Sequence, residues 1–203
     1  MMPVTEEAPK EPVSPYRSSK LMTETMLRYT AVAHDFHYVA LRYFNVAGAD
    51  PAGRTGQSTK GATHLIKVAC EAAQGKRSHL DVFGTDYPTP DGTCIRDYIH
   101  VSDLAKAHSD ALGYLRSGGR SIAMNCGYSR GFSVLEVIEA VKRVSGIDFE
   151  VRLADRRPGD PPEIVAASDL SRRTLKWQPD LDDLDLIVRH ALGWEARLAK
   201  RAD

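Results

Sequence analysis

The stretch that most restricts the fold is Tyr38-Val39-Ala40-Leu41, a compact apolar and β-branched run within residues 37–44 that stops at Asn45 and Gly48. A short continuous apolar run of this kind fits a strand buried on both faces of a parallel sheet. The carboxyl end of such a strand points at a site.

Helical patterns flank it. Leu21, Met22, Thr25, Met26, Tyr29 and Val32 recur at three- and four-residue intervals, and Pro15 suits a first turn, which predicts a long amphipathic helix from Pro15 to His34. Prolines among charged residues in 1–15 predict an extended surface segment before it.

Beyond a Gly-rich loop through Gly61, periodicity predicts a helix over His64–Gln74 and a strand over Leu80–Phe83 closed by Gly84. Ile95–Val101 reads as one strand, and Ser102 or Asp103 should cap the helix that runs through Leu104 and Leu115. Ile122–Cys126 follows as a strand. Ser133 and Glu136 have capping-box spacing ahead of a helix ending near Gly146. Phe149–Leu153 alternates like a strand, Arg156–Pro162 is a charged loop, and helices over Leu170–Leu175 and Asp183–Lys200 finish the chain. Strands alternating with helices give an α/β architecture.

Composition removes several function classes. Basic and acidic residues number 27 each, so no broad positive field exists to hold nucleic acid or an anionic membrane. Three widely spaced cysteines form no Cys-x-x-Cys pair, which argues against a metal site and fits reduced thiols in a cytoplasm. No long apolar run marks a secreted or membrane-spanning chain.

Tyr16 and Lys20 stand four residues apart at a helix start, so they project from one face one turn apart. A nearby positive charge favours the phenolate form of a phenol, and such a group can take a proton from a sugar hydroxyl as hydride leaves the same carbon. With 8 tyrosines and 9 lysines in 203 residues, about 0.35 such spacings arise by chance, so the pair alone is an ordinary solvated helix pair.

Its surroundings change that weighting. Ser14-Pro15-Tyr16-Arg17-Ser18-Ser19-Lys20-Leu21, Leu41-Arg42-Tyr43-Phe44-Asn45-Val46-Ala47-Gly48-Ala49 and Arg96-Asp97-Tyr98-Ile99-His100-Val101-Ser102-Asp103-Leu104-Ala105 together resemble the extended short-chain dehydrogenase/reductase family, the NAD-dependent epimerases and dehydratases. The 83–93 and 156–162 stretches resemble the UDP-glucose 4-epimerase branch in particular.

That resemblance implies a fold: the carboxyl-terminal part of a Rossmann-type doubly wound sheet plus a small α/β substrate-binding domain. Residues 1–62, with part of 94–130 returning to them, would belong to the NAD-binding domain, and 63–203 mainly to the nucleotide-sugar domain. It implies NAD as cofactor, a UDP-sugar as substrate, and a homodimer through the helix that bears Tyr16. Tyr16 would be the acid/base at the sugar 4-hydroxyl, Lys20 would hold the nicotinamide ribose, and Phe44 would contact the nicotinamide through its backbone. Asn45 would bond the diphosphate, with His64 and Leu65 beside it, although the family often has asparagine where this chain has His64.

Phe83 would pack at the uracil, Arg96 and Arg157 would neutralise the diphosphate, and Asp160 would accept from a ribose hydroxyl. Ile164 falls where the family sets tolerance for a 2-acetamido group. Plainer alternatives are Phe83 as core, Arg96 paired with Asp97, and Arg157 with Asp160 as a solvated loop pair.

No Gly-rich strand-to-helix turn for a dinucleotide pyrophosphate occurs; Gly53-Arg54-Thr55-Gly56 and Gly118-Gly119 both read as turns. The expectation is therefore a chain carrying the acid/base and much of the nucleotide-sugar surface of an isomerase that interconverts UDP-glucose and UDP-galactose in galactose metabolism, without the cofactor's pyrophosphate and adenosine sites, as a truncated product or a misplaced start would. Missing central strands would leave a sheet edge and the Leu21–Val32 helix face exposed. The rivals are another nucleotide-sugar epimerase or dehydratase, and a non-catalytic UDP-sugar-binding fragment.

Overall fold

The computed structural model describes residues 2–12 and 14–202. Helix α1 spans Pro15–Ala33, with Pro15 in its first turn and Ser14 as N-cap, the Ser14 hydroxyl accepting from the Arg17 amide. Strand β1 covers Val39–Arg42 and β2 covers Asn45–Ala47. The apolar run thus forms β1, and a further strand, β2, follows at the Asn45 expected to end it: β1 pairs in parallel with β6 (Ile122–Asn125), and β2 in parallel with β5 (Tyr98–His100).

The stretch expected as one strand over Ile95–Val101 divides. Strand β4 (Ile95–Arg96) lies between β7 (Phe132–Ser133), antiparallel, and β9 (Glu163–Ile164), parallel, whereas β5 turns to β2. Asp97 at the break is buried, and its carboxylate accepts from the amides of Tyr128 at 3.1 Å, Ser129 at 3.1 Å and Ala166 at 3.3 Å. One carboxylate therefore ties three backbone segments at the corner. Strand β3 (His79–Phe83) pairs in parallel with β8 (Glu150–Ala154) along five register pairs.

Helices α2 (Leu65–Ala73), α4 (Val134–Ser145) and α6 (Leu184–Ala202) pack together, while α3 (Val101–Arg116) and α5 (Asp169–Leu175) lie by β1 and β6. The core joins Ile66 and Cys70 of α2, Leu80 and Val82 of β3, Ile138 and Val141 of α4, and Ile187 and Val188 of α6, with Trp177 at the α5 end. The capping box forms as expected: Ser133 Oγ accepts from the Glu136 amide at 3.0 Å, the Glu136 carboxylate accepts from the Ser133 amide at 2.7 Å, and Gly146 ends α4 at φ 71°.

The cap of α3 differs from expectation. His100 is its N-cap, its Nδ1 accepting from the Ser102 amide at 3.0 Å. Asp103 is occupied elsewhere, accepting from the Tyr128 hydroxyl at 2.6 Å and from the Asp180 and Leu181 amides.

Helix α1 has no buried residue, and Met22, Met26, Tyr29 and Val32 are exposed along one face. Among the described residues no helix is long and apolar enough to cross a membrane.

Candidate functional site

The carboxyl end of β3, the start of α2 and the loop after β8 enclose an open cleft of about 670 Å³. Asn45, His64 and Leu65 line one part of it, and Phe83, Arg96, Arg157 and Asp160 another. All seven residues expected to bind substrate thus share one cavity, although they are spread along the chain from Asn45 to Asp160.

Local structure explains each placement. In β3, residues 79, 81 and 83 share a face, because successive strand residues alternate, and His79, Asp81 and Phe83 all line the cleft. Asn45 opens β2, where its side-chain Nδ2 donates to the Asp97 carbonyl at 3.2 Å, leaving its second N–H and its oxygen for a ligand. His64 is the N-cap of α2 and makes no side-chain cap bond. The first-turn amides and the positive end of the helix dipole are therefore available to an anion at the cleft.

The arginines are not the surface pairs that plainer sequence readings offered. Arg96 donates to its neighbour's carbonyl, Ile95 O, at 2.8 Å and reaches Asp160 at 3.7 Å, not Asp97. The Arg157 guanidinium lies 3.8 Å from the centre of the Phe83 ring, and among the described residues Arg157 forms no ion pair. Arg156 beside it sits over Tyr87 at 4.1 Å and donates to Asp86 at 2.6 Å, so it is already neutralised. Arg77 likewise donates to Glu71 at 2.6 Å. The cationic groups left for a ligand are Arg96 and Arg157.

A smaller hollow of about 50 Å³ lies behind the cleft and shares Asn45, His64, Leu65 and Tyr98 with it. Its rear wall is α6, through Trp194 and Glu195. Glu195 is buried against Lys67 of α2 and also meets Lys76 at 3.1 Å. Burial raises the Tyr98 hydroxyl above the usual phenol range, so Tyr98 faces both cavities as a neutral group.

Tyr16 and Lys20 lie elsewhere. Lys20 Nζ is 5.1 Å from the centre of the Tyr16 ring, so the pair meets on α1 as the spacing required. Tyr16 is 69% exposed, whereas Lys20 and Phe44 line a separate hollow of about 250 Å³ with Arg42 and Asn125. Phe44 and Asn45 are consecutive, so this hollow and the cleft meet at one peptide. A Gly-rich turn for a dinucleotide pyrophosphate is not in the sequence.

The sequence reading passed over Asp97, His100, Gln57 and Trp194. Asp97 and His100 sit inside a quoted motif, but nothing local tells a buried tether from a ligand. Burial pushes the Asp97 carboxyl up, opposed by its three amide donors.

Residues 2–127 match the model of the NAD dependent epimerase/dehydratase family. A UDP-glucose 4-epimerase from Azospirillum brasilense is 62% identical over 197 residues, which are 97% of this chain and 57% of that protein. The crystal structure of UDP-glucose 4-epimerase from Brucella ovis in complex with NAD superposes with a TM-score of 0.92 at 44% identity, covering 95% of this chain and 59% of that one. That of Bifidobacterium longum UDP-glucose 4-epimerase in complex with NAD+ and UDP gives 0.89 at 36% identity, over 97% and 59%. The chain spans less than two thirds of the length of each of these relatives.

Proposed function

Because this chain belongs to the NAD dependent epimerase/dehydratase family, we propose that it carries the nucleotide-sugar face of a UDP-glucose 4-epimerase and that the cleft takes the UDP portion of the substrate. The observation that carries this reading is the convergence of Asn45, Arg96, Arg157, Asp160 and the α2 amino terminus on one cavity. Two guanidinium forks and a helix dipole match a diphosphate in charge and in donor geometry. Phe83 offers a ring face to the base, and Asp160 is an acceptor for a ribose hydroxyl.

In this reading the sugar reaches from the cleft toward α1, where Tyr16 takes the proton of the 4-hydroxyl and returns it to the epimeric hydroxyl. Lys20 keeps a positive charge beside the phenol and holds the cofactor's ribose, and Phe44 supports the nicotinamide by its backbone. NAD, when bound, supplies reversible hydride acceptance at the sugar's C4. The interconverted pair would be UDP-glucose and UDP-galactose, serving galactose metabolism.

We assign residues 1–62, with part of 94–130 returning, to the NAD-binding domain; the pairing of β1 with β6 and of β2 with β5 supports that division. A second copy of the chain would cover the exposed Met22–Met26–Tyr29 face of α1, giving a homodimer. Three free, buried cysteines fit a reducing cytoplasm.

The test is calorimetric titration of the protein with UDP and with uridine. UDP should bind, and Arg157→Ala should weaken it about 10- to 100-fold, the loss expected for a charge-assisted contact, with little change for uridine. No UDP binding, or equal binding by the variant, would overturn the assignment. One observation favours a binding-only reading: Tyr16 lines neither hollow. Retention of NAD through purification, with conversion of UDP-galactose in a coupled assay, separates the enzyme from the binding module.

A further inference from the structure

His64 stands at the amino terminus of α2 in the cleft, and an imidazole can serve an anion only if the nitrogen that faces it carries a proton. Gln57 supplies the means of deciding this. Its side-chain amide Nε2–H donates to His64 Nδ1 at 2.8 Å. A neutral imidazole that accepts at Nδ1 holds its proton at Nε2.

Gln57 is itself held from behind. Its backbone carbonyl accepts from the Trp194 indole N–H at 3.1 Å, and Gly56 packs so closely on that indole that a Cβ there would come within 2.5 Å of Trp194 Cγ. Gln57 lines the small rear hollow and His64 lines both the hollow and the cleft. A continuous path thus runs from α6 through Trp194 and Gln57 to the ring at the amino terminus of α2.

We propose that Gln57 is a positioning residue of the anion site: it fixes the His64 imidazole as the Nε2–H tautomer, so that the ring presents a donor to the diphosphate of the bound nucleotide. The proposal rests on the reading of the cleft as a nucleoside-diphosphate site. Without the Gln57 donor the ring is free to place its proton at Nδ1, and the lone pair left at Nε2 would then face the phosphate oxygens.

The variants are Gln57→Met, which keeps side-chain length and removes the donor, His64→Asn, and the two combined. Each is titrated with UDP and with uridine, and the His64 ring nitrogens are followed by 15N NMR. Gln57→Met should weaken UDP binding about 3- to 10-fold, the range for one hydrogen bond, and leave uridine unchanged. In the His64→Asn background the same substitution should have no further effect. The nitrogen shifts should report the Nε2–H tautomer in the parent and a mixture in Gln57→Met.

Equal losses for UDP and uridine, a loss that persists in the His64→Asn background, or an unchanged tautomer would each overturn the positioning role. Failure of the parent to bind UDP would overturn the diphosphate reading and this proposal together. Tight parental binding with no effect of Gln57→Met would sink the positioning role alone.

Discussion

Acidifying the solution from pH 7.5 to 5 should cost this fold about 2 kcal/mol through one side chain, His100. The ring is fully buried. Its Nδ1 accepts from the Ser102 amide at 3.0 Å, and its Nε2 lies 3.0 Å from His190 Nδ1. A ring that accepts at Nδ1 keeps its single proton on Nε2, so a second proton would have to face the Ser102 amide and abolish the α3 cap. Burial, then the neighbouring His190, depress the His100 pKa to about 4, against smaller opposing pulls from Asp103 and Asp50.

An unfolded histidine titrates near 6.5. Between about 6.5 and 4 the unfolded chain therefore binds a proton that the folded one refuses, and stability falls as pH drops through that window and levels off below it. At 1.36 kcal/mol per unit, the unit and a half from 6.5 to 5 amounts to about 2 kcal/mol, and the whole window to about 3 kcal/mol. His190, lowered by burial and by Arg189, acts in the same direction. Urea denaturation followed by the fluorescence of buried Trp177 and Trp194 at several pH values measures the slope. His100→Gln should be less stable at pH 7.5 yet nearly flat toward pH 5, whereas His190→Gln should keep most of the slope. Constant parental stability over the window, or an unchanged slope in His100→Gln, would refute the linkage.

Three other outcomes follow from the packing. Lys67→Met should lower stability by about 3 kcal/mol in urea, because it leaves buried Glu195 with Lys76 alone, and Lys67→Met combined with Glu195→Leu should recover most of that loss. Ser133→Ala removes the capping box of α4 and should cost about 1 kcal/mol, a fall of roughly 2–4 °C in Tm for a chain of this size. On the proposed dimer reading, Met26→Glu on the exposed face of α1 should lower the sedimentation coefficient to that of a monomer while UDP binding is retained; an unchanged coefficient would overturn that interface.

Much of the architecture was legible because it rests on local physics. Periodicity located α1, α2 and α6 to within one or two residues, and Ser133, Glu136 and Gly146 marked both ends of α4. Strand β2 beyond Asn45 and the break at Asp97 were not legible, since a short strand and a change of partner leave no mark on the apolar pattern; the signal is tertiary, in the pairing with β5, β7 and β9. The cap of α3 was missed for a related reason. Ser102 and Asp103 are better local caps than a histidine, but Asp103 is drawn to Tyr128 and to the amides beyond α5. Motif strings held five of the seven cleft residues, and His64 and Leu65 came from the family resemblance, whereas Gln57 and Trp194 became visible only through their contacts.

Charge balance shows how a neutral chain can hold an anion. The 27 acidic and 27 basic residues cancel in total, so the chain carries no broad positive field. At the cleft the cancellation is uneven: Glu71 satisfies Arg77 and Asp86 satisfies Arg156, while Arg157 rests on a ring face and Arg96 meets Asp160 only at 3.7 Å. A contact of that length to a partly exposed carboxylate is worth little, so a diphosphate that draws Arg96 away has little to displace, and the same exchange releases Asp160 to accept from a hydroxyl. A diphosphate joined to a ribose whose hydroxyl reaches Asp160 fits these two changes at once, which an isolated phosphate would not. On the proposed reading the cleft should therefore bind UDP more tightly than free phosphate, and equal affinities in calorimetric titration would refute the coupling.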